Sequence, residues 1–216
     1  MISILRRWCY LLSFQKVCFN IHKMCPGDYI LVRAEDIHKM YLITQGAVKF
    51  SKIFTDTSTL TLAILRENDL ITIIKTQNYY YYSAEALSFT LILSYNYDKI
   101  LQKSNQFSTL HSELVLAYHR YIQKVYKIIQ VLSHRDKINR LINLLLILCQ
   151  QFGIVTRFGI VINLVMTHNT LAIIIGSSRI TITKILNSFQ KTQVISVYHN
   201  KLLIHDPISL SLFKYL

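Results

Sequence analysis

Residues 167–189, THNTLAIIIGSSRITITKILNSF, read as two short helices joined by a tight turn. Leu171, Ala172 and Ile175 share one face of the first helix, with a small residue where a second helix has to pass close. Gly176 fits the turn, because a tight connection between helices needs a residue that adopts positive φ without a Cβ penalty. Ser177 or Ser178 can cap the next helix. In that helix Ile182, Ile185, Leu186 and Phe189 follow the i, i+3, i+4, i+7 pattern and share the buried side. The opposite face carries Arg179, Ile180, Thr183, Lys184 and Asn187. These supply a forked guanidinium for guanine edges, an apolar side chain for a thymine methyl, and hydroxyls and an ammonium for phosphates. Amphipathic helix pairs joined by Gly also build ordinary cores, so the surrounding chain decides between the two readings.

Outward from this stretch the context agrees with DNA binding. Downstream, residues 194–198 and 201–205 alternate as two strands joined at His199 and Asn200, a wing directly after a recognition helix. Upstream, residues 157–165 alternate as a strand or short hairpin. Before them residues 137–151 form a helix capped by Asp136 and ended at Gly153. The HRD at 134–136 lacks the glycine-rich loop and DFG of a kinase. Phe107, His111, Leu114, Tyr118, Tyr121, Val125, Ile128 and Leu132 are spaced alternately by four and three, a heptad seam. A long helix whose seam meets nothing in its own domain calls for a second copy, so the expectation is a homodimer. From residue 23 to 93 the pattern is short alternating segments broken by turns at 26–28, 45–46 and 68–69, which implies a compact antiparallel sandwich or roll. Tyr79 to Tyr82 are four tyrosines in a row, two on each face if they form a strand.

The chain has 216 residues, 24 Lys and Arg against 11 Asp and Glu, a formal charge of +13 and a pI near 9.6. That balance favours a polyanionic partner, nucleic acid or an anionic membrane surface. The abundance of Ile, Lys, Asn, Tyr and Phe also fits AT-rich codon usage. No run of about 20 apolar residues occurs, so no transmembrane helix is expected. The first 16 residues resemble a signal peptide faintly but lack a small-residue cleavage site; an amphipathic helix using Ile4, Leu5, Trp8, Leu11 and Leu12 is the better reading. Cys9, Cys18, Cys25 and Cys149 contain no C-x-x-C pair, so metal is not expected and buried inert thiols in a reducing compartment are the simpler fit. No nucleophile–base pair or phosphate loop points to an enzyme. A basic nucleic-acid or membrane-surface protein with a degenerate helix-turn-helix and no effector is the alternative.

The order of parts resembles the CRP/FNR family, and within it the global nitrogen regulators of cyanobacteria and their red-algal plastid relatives. The resemblance is carried by GAVKFSK (46–52), LAILREN (62–68), LSHRD (132–136), RLINLLLILCQQFG (140–153), IGSSRITITKIL (175–186) and VISVYHNKLLIHDPISLS (194–211). It implies an α+β protein: an N-terminal double-stranded β-helix roll, cyclic-nucleotide-binding-like, at 1–104, a dimerisation helix at 105–132, and a winged helix-turn-helix at 133–216. It implies that Arg179 reads a guanine, that Ile180 and Lys184 meet bases or nearby phosphates, and that His168, Asn169, Ser178, Thr181 and Thr183 hold phosphates. The heptad seam puts Leu114, Tyr118, Tyr121, Val125, Ile128 and Leu132 at the dimer interface, and the resemblance further implies palindromic promoter sites, RNA polymerase as partner, nitrogen-related genes and a plastid stroma.

The resemblance also implies 2-oxoglutarate as effector, with Ile71, Thr72, Ile73, Tyr121 and Tyr126 at the matching positions. Here the chain departs from the pattern. The segment 70–73 lacks a glycine, and tyrosines stand where the family has an arginine and a glutamate on the long helix. A dicarboxylate needs cationic forks. Arg120 is offset by about 100° from Tyr121 and is expected to point elsewhere, so 2-oxoglutarate should bind weakly or not at all. A cyclic nucleotide has no Gly-Glu and Arg-Ser phosphate cassette to bind.

Overall fold

The computed structural model describes residues 4–14, 16–33, 39–56, 58–71, 81–96, 98–99, 108–198 and 201–213. The chain divides into two units, Met1–Val125 and Tyr126–Leu216, with the boundary inside one long helix.

In the first unit α1 (Ile4–Phe14) precedes eight strands: β1 (Phe19–Met24), β2 (Tyr29–Arg33), β3 (Lys39–Gln45), β4 (Ala47–Ile53), β5 (Thr59–Arg66), β6 (Leu70–Ile71), β7 (Tyr81–Ala86) and β8 (Thr90–Asn96). They pair antiparallel in two sheets, ordered β1-β8-β3-β6 and β2-β7-β4-β5. Side chains alternate across a strand, and here both faces of the first sheet are buried. Met24, Tyr41, Ile43 and Ile92 join Val48, Phe50, Leu65 and Ala84 of the second sheet in one core. Met40, Leu42, Leu93 and Tyr95 join Trp8 and Leu12 of α1 in another. This explains why β3 is nearly continuously apolar. The expected N-terminal amphipathic helix is present, and its Trp8 also donates from Nε1 to Asn68 Oδ1 at 3.2 Å. Of the tyrosine run, Tyr82 is buried and stacks on Phe50, while Tyr81 is exposed; Tyr79 and Tyr80 lie outside the described residues.

The long helix α2 (Ser108–Ser133) uses its heptad seam differently from the sequence expectation. Leu114 is part of the core that holds Trp8, with Tyr118 packed on it. Tyr121 and Val125 pack against the core between the sheets. Ile128 is buried and Leu132 half-buried within a single copy. The seam therefore does not face empty space, and it cannot by itself call for a second chain. A second apolar stripe does stay exposed, one residue further on: Val115, Ile122, Tyr126 and Ile129, with Leu116 beside it. Phe107 lies outside the described residues, as does the side chain of His111.

In the second unit α3 (Lys137–Phe152) starts at Asp136, whose carboxylate accepts from the backbone N–H groups of Ile138 and Asn139. The helix ends without a left-handed cap. Gly153 is extended (φ −74°, ψ 137°) and opens β9 (Gly153–Thr156), paired antiparallel with β10 (Gly159–Ile162). A Cβ on Gly153 would lie 2.2 Å from Cys149 O, so the chain turns directly from helix into strand only with glycine there. The hairpin thus begins four residues before the alternation at 157–165 suggested. Next come α4 (His168–Ile175), α5 (Arg179–Lys191), β11 (Ile195–Tyr198), β12 (Lys201–Ile204) and α6 (Pro207–Ser211). The sheet order is β11-β12-β10-β9.

Candidate nucleic-acid interface

Two side-chain caps and one glycine set the geometry of α4 and α5. Thr167 Oγ1 accepts from the Thr170 N–H at 3.0 Å and starts α4. Gly176 ends it in the left-handed region (φ 64°, ψ 53°), with its N–H turned back to Ala172 and Ile173 carbonyls. Ser178, not Ser177, caps α5: its Oγ accepts from the Thr181 N–H at 3.1 Å. Ser177 Oγ is instead buried with no partner among the described residues. Leu171, Ala172, Ile175, Ile182, Ile185, Leu186 and Phe189 are all buried, so the apolar faces read from the spacing are the packed ones. Phe189 meets Phe213 edge-on at 4.7 Å between ring centroids.

The outward face of α5 carries Arg179, Ile180, Lys184 and Asn187, all exposed. Ile180 is 70% exposed, a large apolar side chain that the fold leaves in water. Of the remaining sequence-assigned residues, His168, Ser178, Thr181 and Thr183 are already bonded within the protein. Ser178 Oγ and Thr181 Oγ1 lie 2.8 Å apart. Thr183 Oγ1 contacts His168 Nδ1 at 2.8 Å and the Arg179 carbonyl at 2.9 Å. Asn169 is exposed next to His168 at the start of α4. Across the sheet, the wing strand β12 begins at Lys201, whose ammonium donates to Asn163 Oδ1 at 2.8 Å, and Tyr198 on β11 is exposed.

Two residues that the sequence reading passed over hold the turn. Arg140 on α3 donates from Nη1 to Ile175 O at 3.1 Å and from Nε to His134 O at 2.7 Å. Lys137 donates to Gly176 O at 3.3 Å. The last carbonyls of a helix lack intrahelical partners and carry partial negative charge, so cations suit them. The available signal was the Lys137–Arg140 spacing of three, which places both on one side of α3.

The positions matched to an effector do not converge. Ile71 is buried in the core between the sheets, and Tyr121 packs on that core. Tyr126 is 66% exposed, because five residues along a helix turn it about 140° away from Tyr121. Thr72 and Ile73 lie outside the described residues. The expectation for Arg120 was wrong. It faces the strands, donating from Nη2 to Asn68 O at 2.8 Å, with Nε 3.8 Å from Asp69 Oδ1. Lys124, one turn on, places Nζ 3.7 Å from Asp69 Oδ2. Asp69 is fully buried and also accepts from the Arg66 N–H at 2.8 Å. Cations do line the strand side of α2, and the chain's own carboxylate faces them.

Among the described residues no group of three or more His, Cys, Asp or Glu could hold a metal ion, and no helix is long and apolar enough to cross a membrane. Burial pushes the Cys149 thiol up to about 11, and Cys9 is raised for the same reason. Cys18 and Cys25 are exposed.

Residues 139–213 match the Crp-like helix-turn-helix domain family, and residues 21–107 match the cyclic nucleotide-binding domain family. The global nitrogen regulator of Nostoc sp. is 30% identical over 190 residues, covering 86% of this chain and 82% of that protein. An HTH-type transcriptional regulator of Porphyra purpurea is 35% identical over 205 residues, covering 94% of this chain and 86% of its own length. In solved structures, a CooA mutant from Carboxydothermus hydrogenoformans superimposes with a TM-score of 0.73 at 20% identity, covering 93% of this chain and 89% of that one. FixK2 from Bradyrhizobium japonicum gives 0.72 at 12% identity, covering 93% and 99%. At those identities the two structures speak to fold alone.

Proposed function

The chain belongs to the CRP/FNR family of DNA-binding transcription regulators, and from that premise we propose that it reads a palindromic promoter site as a homodimer, with α5 in the major groove. The observation that carries this is the exposed face of Arg179, Ile180, Lys184 and Asn187 on a helix whose position is set by the Gly176 turn and the Ser178 cap. Arg179 donates to guanine O6 and N7, Ile180 packs on a thymine methyl, and Lys184 meets a base or phosphate. Ser178, Thr181, His168 and Asn169 position the backbone, with Lys201 on the wing, while the Thr183 hydroxyl, whose hydrogen goes to the Arg179 carbonyl, holds the His168 ring instead of a phosphate. The exposed stripe of Val115, Ile122, Tyr126 and Ile129 supports α2 as the dimer contact, in place of the seam. Two copies then present their recognition helices to half-sites roughly 34 Å apart.

Similarity to the Nostoc global nitrogen regulator supports control of nitrogen-related genes, and similarity to the Porphyra regulator supports a plastid location. With Arg120 and Lys124 engaged by Asp69, the protein works without 2-oxoglutarate. The test is selection of a duplex from a random pool, followed by binding curves on that duplex and a scrambled one. Arg179→Ala should lose about 1 to 3 kcal/mol of discrimination per half-site, while Lys201→Ala weakens both duplexes alike. An Arg179→Ala variant that keeps its full preference would show that this residue reads no base.

A further inference from the structure

His168 and Thr183 meet where the start of α4 passes α5. Imidazole Nδ1 lies 2.8 Å from Thr183 Oγ1, and the same oxygen lies 2.9 Å from the Arg179 carbonyl oxygen. A carbonyl only accepts, so the single hydroxyl hydrogen of Thr183 is directed at Arg179 O. The hydroxyl has lone pairs left for the imidazole, and Nδ1 must carry a hydrogen and donate it. If Thr183 donated instead to a bare Nδ1, two oxygens would stand 2.9 Å apart with no hydrogen between them. A neutral imidazole has one N–H. With that hydrogen held at Nδ1, Nε2 presents a lone pair, and among the described residues it has no protein partner.

We infer that His168 is a proton-linked phosphate contact: Nε2 repels a DNA phosphate while the ring is neutral and donates a charge-assisted hydrogen bond to it once the ring takes up a proton. This rests on the DNA-reading assignment of α5. The helices packed on α4 are α3 and α5. Their charged groups are Lys137 and Arg140, which bond the far end of α4, and Arg179, Lys184 and Lys191 on α5. None of α3, α4 and α5 contains a carboxylate, and Asp136 is committed to capping α3. No carboxylate on these helices competes with a DNA phosphate for an imidazolium at this position. Histidine changes charge between about pH 5 and 8. Because binding takes up the proton, affinity rises as pH falls, approaching roughly tenfold per pH unit for each proton bound.

The experiment measures affinity of the full chain for the selected duplex from about pH 5.5 to 8.5 at fixed salt. Wild type should weaken several-fold per unit toward alkaline pH. His168→Gln should remove that slope. Thr183→Val should also flatten it and strengthen binding at high pH, because without the Thr183 acceptor a neutral ring is free to carry its hydrogen on Nε2. His205→Gln should keep the wild-type slope, since that ring is engaged with Ser196 Oγ and Phe158 O. Nitrogen NMR shifts of His168 in the DNA-free protein at high pH should report the Nδ1–H tautomer. A flat wild-type profile, an unchanged slope in His168→Gln, or the Nε2–H tautomer would overturn the inference. Failure to bind any duplex at any pH would overturn the DNA reading itself, and this inference with it.

Discussion

Replacing Arg140 with alanine removes the clamp on the helix-turn-helix turn, and the loss can be worked from its two bonds. Nε reaches His134 O at 2.7 Å and Nη1 reaches Ile175 O at 3.1 Å. Hydrogen bonds from charged donors contribute about 1.5 to 3 kcal/mol each. Arg140 is half-buried, so water takes over part of both carbonyls in the variant. The expected loss is therefore about 2 to 3 kcal/mol, nearer one bond than two. It should appear in the second unit, whereas the chain's one tryptophan, Trp8, lies in the first. Amide hydrogen exchange across α4 and α5 should quicken by roughly 30-fold to 160-fold, while the urea transition seen by Trp8 fluorescence stays in place. Arg140→Lys, able to reach one carbonyl, should recover about half of the loss. An exchange change under about threefold, or an equal shift at Trp8, would refute the reasoning.

Three further outcomes follow from burial and charge. Ile122→Asp with Ile129→Asp should give monomers by light scattering with both units folded, whereas Val125→Asp, on the packed side, should cost about 3 kcal/mol of stability in the first unit; a double variant that stays dimeric would exclude the exposed stripe as the main contact. Calorimetric titration with 2-oxoglutarate should show no submillimolar binding, because Asp69 already faces Arg120 and Lys124; tight binding, or DNA affinity that depends on it, would contradict an effector-free state. Alkylation near pH 8 should modify Cys18 and Cys25 well before Cys149, whose thiol is pushed up to about 11 and forms thiolate only as pH rises toward that value; early loss of Cys149 by peptide mass mapping would contradict its burial.

Local chemistry was enough to place the second unit from sequence. Gly176 in the left-handed region, the Ser178 and Asp136 caps, and the buried Ile182–Ile185–Leu186–Phe189 face each depend on a few neighbouring residues, so their spacing carries the answer. The exposed face of α5 follows from the same periodicity, since burying one side of a helix defines the other. The alternating strands of the first unit were legible for a similar reason, although which of them pair was not. What only the tertiary structure decided is which side of each element meets which partner. On α2, Leu114, Tyr118, Tyr121 and Val125 repeat with the same spacing as the stripe one position later, and periodicity cannot say which of two stripes packs inward. Arg120 lies between buried Ala117 and Lys124, so the packed side of α2 is wider than the seam, and an offset of one residue from Tyr121 did not predict its bond to Asn68 O. The hydrogen on His168 Nδ1 is determined by Thr183 and Arg179 together, 15 and 11 residues away, and exists as a constraint only once α4 and α5 are packed.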